Sequence, residues 1–301
     1  MTFNPFQALI PESRLHCDAM LCEYTTMRTG GPADYLIEAA SIQEIQHILS
    51  ICQAEGLPLL VLGNGSNLLF PDAGYRGVIL HIGKHFSEVS CAKDRICCEA
   101  GAMLSAAAHA ASDHALTGLE FASGIPGSVG GAVFMNAGAY GGEINQVLEN
   151  AQVLVNDHVE EWPAERFDFG YRHSAVMENN GIVLSAVFHV LPGDRNAILS
   201  TMRDLNARRR EKQPLQYPSC GSFFKRPTGH FAGALIEQAG LKGFAIGDAQ
   251  VSELHAGFII NRGHATSKQI FDLMRYVQQT VYQQFGMMLE PEVRLIGSFE
   301  A

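Results

Sequence analysis

Apolar residues at Ile42, Ile45, Ile48, Leu49 and Cys52 recur at helical spacing, and Ser41 stands where it would cap the first turn. Residues 33–39 ahead of them read as a strand. Gly56 and Pro58 break the helical pattern, and the apolar run Leu59–Leu62 follows as a buried strand. It runs directly into Gly63-Asn64-Gly65-Ser66-Asn67, after which residues 68–70 and 78–82 alternate with turn residues and predict further strands. The first 85 residues therefore read as α+β.

A strand at 96–99 and an alanine-rich helix over 103–114 open a second stretch. A glycine- and alanine-rich passage follows over 123–142, with strands near Val153 and Val183. From 197 to 212 the pattern is a helix dense in arginine, and a proline- and serine-containing loop covers 214–222. Beyond it come a helix at 232–239, a strand at 257–261 and a helix at 268–285. In the last, Ile270, Met274, Val277, Val281 and Phe285 make one apolar stripe, the pattern of core packing. The expected partition is 1–85 and 86–194 as two α+β parts of one domain, then 195–301.

Length and charge narrow the possibilities. A chain of 301 residues with 47% apolar and 17% charged residues is long enough for more than one packed core. The net charge of -10 is spread without a basic cluster, which disfavours a nucleic-acid or anionic-membrane surface. Seven cysteines with no Cys-x-x-Cys pair fit reduced, cytoplasmic thiols. No segment approaches the roughly 18 to 20 apolar residues of a membrane span, and no signal-peptide pattern opens the chain. None of the twelve histidines has metal-ligand spacing, so no metal is implied.

The chemistry sits in two glycine-rich loops. Gly63, Asn64, Gly65, Ser66 and Asn67 follow a buried strand, so a tight turn there exposes main-chain N–H groups to an anionic ligand such as a pyrophosphate. Ser123, Gly124, Ile125, Pro126 and Gly127, with Gly130, form a second loop of the same kind. One loop alone reads more simply as a tight turn; two suggest an extended dinucleotide. Neither satisfies the doubly wound fingerprint, since Gly63-x-Gly65 lacks the third small residue and no helical pattern opens at once, and neither has the Gly-Lys-Ser/Thr ending of a P-loop.

These loops belong to a longer series of motifs. Arg28-Thr29-Gly30-Gly31-Pro32-Ala33-Asp34, the two loops, Phe169-Gly170-Tyr171-Arg172-His173-Ser174, Pro218-Ser219-Cys220-Gly221-Ser222-Phe223-Phe224-Lys225-Arg226-Pro227, Gly229-His230-Phe231-Ala232-Gly233 and Leu289-Glu290-Pro291-Glu292-Val293-Arg294 stand in order along the chain. Together they resemble the UDP-N-acetylenolpyruvoylglucosamine reductase family, in its shorter form that lacks an extra tyrosine-bearing loop. The resemblance implies an α+β fold: a two-part FAD-binding domain of the vanillyl-alcohol oxidase type plus a C-terminal α+β substrate-binding domain. It implies FAD as cofactor, NADPH as hydride-donating co-substrate, and UDP-N-acetylglucosamine enolpyruvate as the substrate reduced to UDP-N-acetylmuramate for peptidoglycan precursors.

By the same resemblance Ser222 is the proton donor to the substrate carbon, Arg172 holds its carboxylate or enolate oxygen, and Glu292 polarises the carboxylate. A planar guanidinium fork suits that task, although Arg172 alone could equally be a surface ion-pair partner. Ser222 alone would read as a turn residue after Gly221, and Glu292 as an exposed carboxylate at a strand end. Lys225 and Arg226 are candidates for the UDP phosphates and Tyr140 for the pocket lining. A flavin oxidase of the same superfold and a non-catalytic nucleotide-binding module are the competing readings. A monomer is expected.

Overall fold

The computed structural model describes residues 4–299. It divides into two compact units. The first takes in the chain up to Cys17, Tyr35–Asn64 and Gly77–Arg209; the second takes in Asp18–Asp34, Gly65–Arg76 and the chain from Arg210. Each has its own apolar core.

In the first unit the helix Ile42–Glu55 forms where the periodicity placed it. The Ser41 hydroxyl accepts from the Glu44 N–H at 3.2 Å, and Gly56 closes the helix at φ 64°, a conformation that favours glycine. Ile45, Ile48 and Cys52 face inward. Leu59–Leu62 lies parallel to Val78–His81 in a four-stranded sheet ordered Leu15–Met20, Pro32–Glu38, Tyr75–His81, Leu59–Leu62. Because the paired strands end together, Gly63 leaves the sheet beside His81, whose ring is hydrogen-bonded to the Gly63 main chain.

A five-stranded antiparallel sheet completes this unit, ordered His158–Pro163, Leu148–Val155, Ile182–His189, Arg95–Glu99, Val89–Ala92. The strand Val89–Ala92 carries too little alternation to be visible in the sequence. Leu104–Asp113 packs with Ala107, Ala108 and Ala111 buried, small side chains that let a helix approach closely. The helix Val129–Phe134 starts inside the second glycine loop, with Ser128 as its cap.

The second unit is built on an antiparallel sheet ordered Ser219–Ser222, Phe258–Asn261, Ala249–Val251, Ala245–Ile246, together with the helices Ala232–Gln238 and Ser267–Phe285. The long helix begins with a Thr266/Gln269 capping box, and the Asp72 carboxylate accepts from the Ser267 and Lys268 N–H groups at 2.8 and 2.9 Å. Ile270, Met274, Val277 and Val281 are buried as expected. Phe285 is not: it is 40% exposed, because the helix ends at Gly286 (φ 67°) and its last turn runs past the core.

Candidate active site

In the first unit the two glycine loops touch. The Asn64 carboxamide donates to the Pro126 carbonyl at 2.7 Å, and a Cβ on Gly63 would collide with the Ser128 hydroxyl. The second loop is pinned from behind: the Gly130 N–H donates to Ala100 O at 2.8 Å, the Leu104 N–H donates to Gly127 O at 2.9 Å, and a Cβ on Gly130 would lie 2.8 Å from that of Ala100. Ile125 packs on the core while Pro126 is exposed. On the far side the Asn206 carboxamide donates to the Ser123 hydroxyl at 3.2 Å, and a Cβ on Gly124 would lie 2.5 Å from Asn206 Oδ1 and 3.1 Å from the Arg209 side chain. Burial holds the Arg209 pKa below its ordinary value, with the nearby Tyr140 acting in the opposite direction.

Tyr140 and Arg172 also lie in this unit, each on a backbone that side-chain-bearing residues rarely adopt. Tyr140 (φ 54°) and Gly141 (φ 88°) are the two central residues of the hairpin joining Gly138–Ala139 to Gly142–Glu143. Gly170 and His173 exchange both main-chain hydrogen bonds, at 3.1 and 3.2 Å, leaving Tyr171 and Arg172 as the tip of a second tight turn in which Arg172 has φ 55°. That position favours glycine or asparagine, and a larger residue there costs on the order of 1–3 kcal/mol. The half-buried Arg172 guanidinium lies 4.9 Å from the Tyr171 ring centre and donates from Nη2 to Gly138 O at 3.2 Å.

The second unit carries Ser222 and Glu292 on adjoining segments. Gly221 (φ 76°) turns the chain so that Ser222 ends its strand exposed. The Glu292 N–H donates to Phe223 O at 2.9 Å, Phe224 bridges Pro291, and the Lys225 N–H donates to Glu290 O at 2.8 Å. Asn67 joins this group: its carboxamide donates to Glu292 O at 3.1 Å, and its carbonyl accepts from the Arg294 N–H at 3.0 Å. The Lys225 ammonium pairs with Glu290 at 3.2 Å, and Arg226 lies over the Phe231 ring at 4.3 Å.

Several organising residues gave no separate signal in the sequence. Thr26 takes part twice, its N–H donating to Gly65 O at 3.1 Å and its hydroxyl to Ser219 O at 2.7 Å, which links the first loop to the strand that carries Ser222. Gly31 and Gly74 pack so closely against Asp72 and Pro32 that no side chain fits, the physical content of the Gly30-Gly31-Pro32 motif. Asn206 and Arg209 lie far along the chain from the Ser123–Gly124 segment they hold.

Known proteins place this arrangement. Residues 213–296 match the C-terminal domain of UDP-N-acetylenolpyruvoylglucosamine reductase, and residues 33–157 match an FAD-binding domain. The enzyme of that name from Clostridium beijerinckii is 48% identical across 98% of this chain and 97% of its own length; that from Agathobacter rectalis is 49% identical across 96% of each. The chain belongs to the UDP-N-acetylenolpyruvoylglucosamine reductase family. The crystal structure of the family's Thermus caldophilus protein superposes with a TM-score of 0.81 at 34% identity, covering 92% of this chain and 97% of the other. The α+β fold expected from the sequence, an FAD-binding domain followed by a C-terminal family-specific domain, is the fold found.

The loops of this reductase-family chain fit the cofactor on chemical grounds. Among the described residues no acceptor is bonded to the main-chain N–H groups of Asn64, Gly65 or Ser66. Consecutive donors of this kind, bare of bulky side chains, form an anion cradle suited to a pyrophosphate. Gly63, Asn64, Gly65, Ser66 and Asn67, with the Ser123–Gly130 loop, are the residues available to hold FAD.

Proposed function

We propose that this chain is an NADPH-dependent reductase that converts UDP-N-acetylglucosamine enolpyruvate to UDP-N-acetylmuramate. The relatives bear the name of that activity, and the loops offer a seat for the cofactor. The observation that carries the reading further is the hydrogen-bonded attachment of Asn67, from the first glycine loop, to the segment of Glu292, which itself pairs with the strand end that presents Ser222. That attachment supports assigning the proton-donor and carboxylate-polarising roles to Ser222 and Glu292, next to the loop assigned to the flavin.

FAD, when bound, supplies the reducing equivalent as hydride, taken from NADPH and passed to the vinyl carbon of the substrate. The protein's task is to manage the charge that this addition creates next to the substrate carboxylate. Arg172 holds the carboxylate, and its guanidinium strengthens that hold as the oxygens gain charge. Glu292 polarises the same carboxylate. Ser222 gives its hydroxyl proton to the carbon beside it, a role open to so weak an acid because an enolate-like carbon is strongly basic. Lys225 and Arg226 meet the diphosphate, and Tyr140 lines the pocket. The partition at residues 85 and 194, into two flavin-binding parts and a substrate-binding part, belongs to this proposal.

The purified protein should be yellow, with flavin absorption, and should consume NADPH in the presence of UDP-N-acetylglucosamine enolpyruvate. NADPH oxidation that ignores the sugar nucleotide would sink the proposal. Fast reoxidation by oxygen without it would favour an oxidase.

A further inference from the structure

Asn136 follows the helix Val129–Phe134 and is 1% exposed, with φ 44°. A left-handed residue past a helix end is commonly Gly or Asn, which by itself would explain an asparagine here. The side chain, however, is fully engaged in holding other elements. Its Oδ1 accepts from the Asn145 N–H at 3.0 Å, and its Nδ2 donates to Gly170 O at 3.0 Å and to Glu143 Oε2 at 3.4 Å. Glu143 closes the hairpin that carries Tyr140, and Gly170 opens the turn that carries Arg172.

One buried carboxamide therefore clamps two strained turns to each other. The second strut is Ser174, fully buried, whose hydroxyl donates to Phe134 O at 2.7 Å just before Asn136. The guanidinium of Arg172 then finds its anchor, Gly138 O, two residues beyond Asn136. The carboxamide thus bonds the Gly170 carbonyl and the Glu143 carboxylate at once, and deleting it removes that tie from the strained Arg172 turn.

We propose that Asn136 is a positioning residue for Arg172, setting the guanidinium where it meets the substrate carboxylate. The inference rests on the carboxylate-holding role proposed for Arg172. It separates from a helix-end role because glycine satisfies the left-handed backbone as well as asparagine does. Asn136→Gly keeps the backbone and deletes only the clamp. Asn136→Asp keeps the acceptor for Asn145 and loses the donor to Gly170.

The test measures binding of the product UDP-N-acetylmuramate to the flavin-loaded enzyme by calorimetry, alongside steady-state turnover and the rate at which NADPH alone reduces the flavin. For Asn136→Gly, product affinity and turnover should each fall about tenfold or more, while flavin content and the NADPH step stay within about twofold of wild type, because only carboxylate recognition is disturbed. The double variant with Arg172→Ala should be no worse than Arg172→Ala alone, since a positioning residue acts through its partner. If Asn136→Gly fails to fold, Asn136→Asp decides by the same readings. Wild-type affinity and turnover in the folded variants, or losses that simply multiply in the double variant, would overturn the inference. Undiminished product affinity in Arg172→Ala would overturn the reading of Arg172 and this one with it.

Discussion

Asn67 is hydrogen-bonded to the Glu292 segment from both ends of its residue, the side-chain amide donating to Glu292 O and the main-chain carbonyl accepting from the Arg294 N–H. Only the first of these depends on the side chain. Asn67→Ala should therefore cost about 1 kcal/mol, the usual worth of one such bond, and lower the melting temperature by a few degrees. Turnover should fall more than stability, because the Glu292 segment loses its side-chain tie to the loop. A melting shift with unchanged kcat would show that the tie is structural only.

Ser222 is exposed at the end of its strand. Ser222→Ala should leave thermal stability within about 0.5 kcal/mol, as surface replacements do. As the proposed proton donor it should nonetheless reduce kcat by about 10²- to 10⁴-fold, the range of a positioned general acid. Ser222→Cys, which restores a transferable proton, should recover part of the loss. Equal rates in wild type and Ser222→Ala would remove this residue from the chemistry.

Much of the frame was legible because the signals are local. The helix Ile42–Glu55 shows its periodicity and cap in consecutive residues, and Leu59–Leu62 followed by glycines announces a strand and a tight loop. Phe285 misled because periodicity continues to a helix end whether or not the core does. The clasp of Asn206 and Arg209 on Gly124 spans more than eighty positions and leaves no pattern. The tight turns at Tyr140 and Arg172, residues named only through the resemblance, are hidden for a different reason. Turns that need positive φ normally advertise themselves with Gly or Asn, and here the positions are occupied by the side chains that the function is proposed to use.

Acid should weaken the fold through two half-buried histidines. Burial lowers the His81 pKa from the ordinary 6.5, only partly offset by Glu38 and by the bond to Gly63; burial also lowers that of His255. The unfolded chain therefore takes up protons near pH 6.5 that the folded chain refuses, and the contribution present above that pH is lost as pH falls toward the folded values. Melting temperatures measured downward from neutral pH should drop, and His81→Gln, which cannot titrate but can still donate to Gly63, should flatten the decline. The same slope in this variant would clear His81 of the effect.

The contact between Gly63 and Ser128 permits a test by loss and rescue. A Cβ on Gly63 meets only the hydroxyl and Cβ of Ser128, the latter at 3.3 Å, so Gly63→Ala should wedge the two loops apart and weaken FAD binding to the apoprotein by about tenfold or more. Removing the obstacle with Ser128→Gly should restore space. Its own cost is small, since glycine replaces serine at a helix N-cap for only about a few tenths of a kcal/mol. Gly63→Ala with Ser128→Gly should therefore bind FAD more tightly than Gly63→Ala alone, measured by quenching of flavin fluorescence. If the double variant binds no better, the loss comes from a side chain intruding on the ligand's own space, and the close approach of the loops is not what glycine at 63 protects.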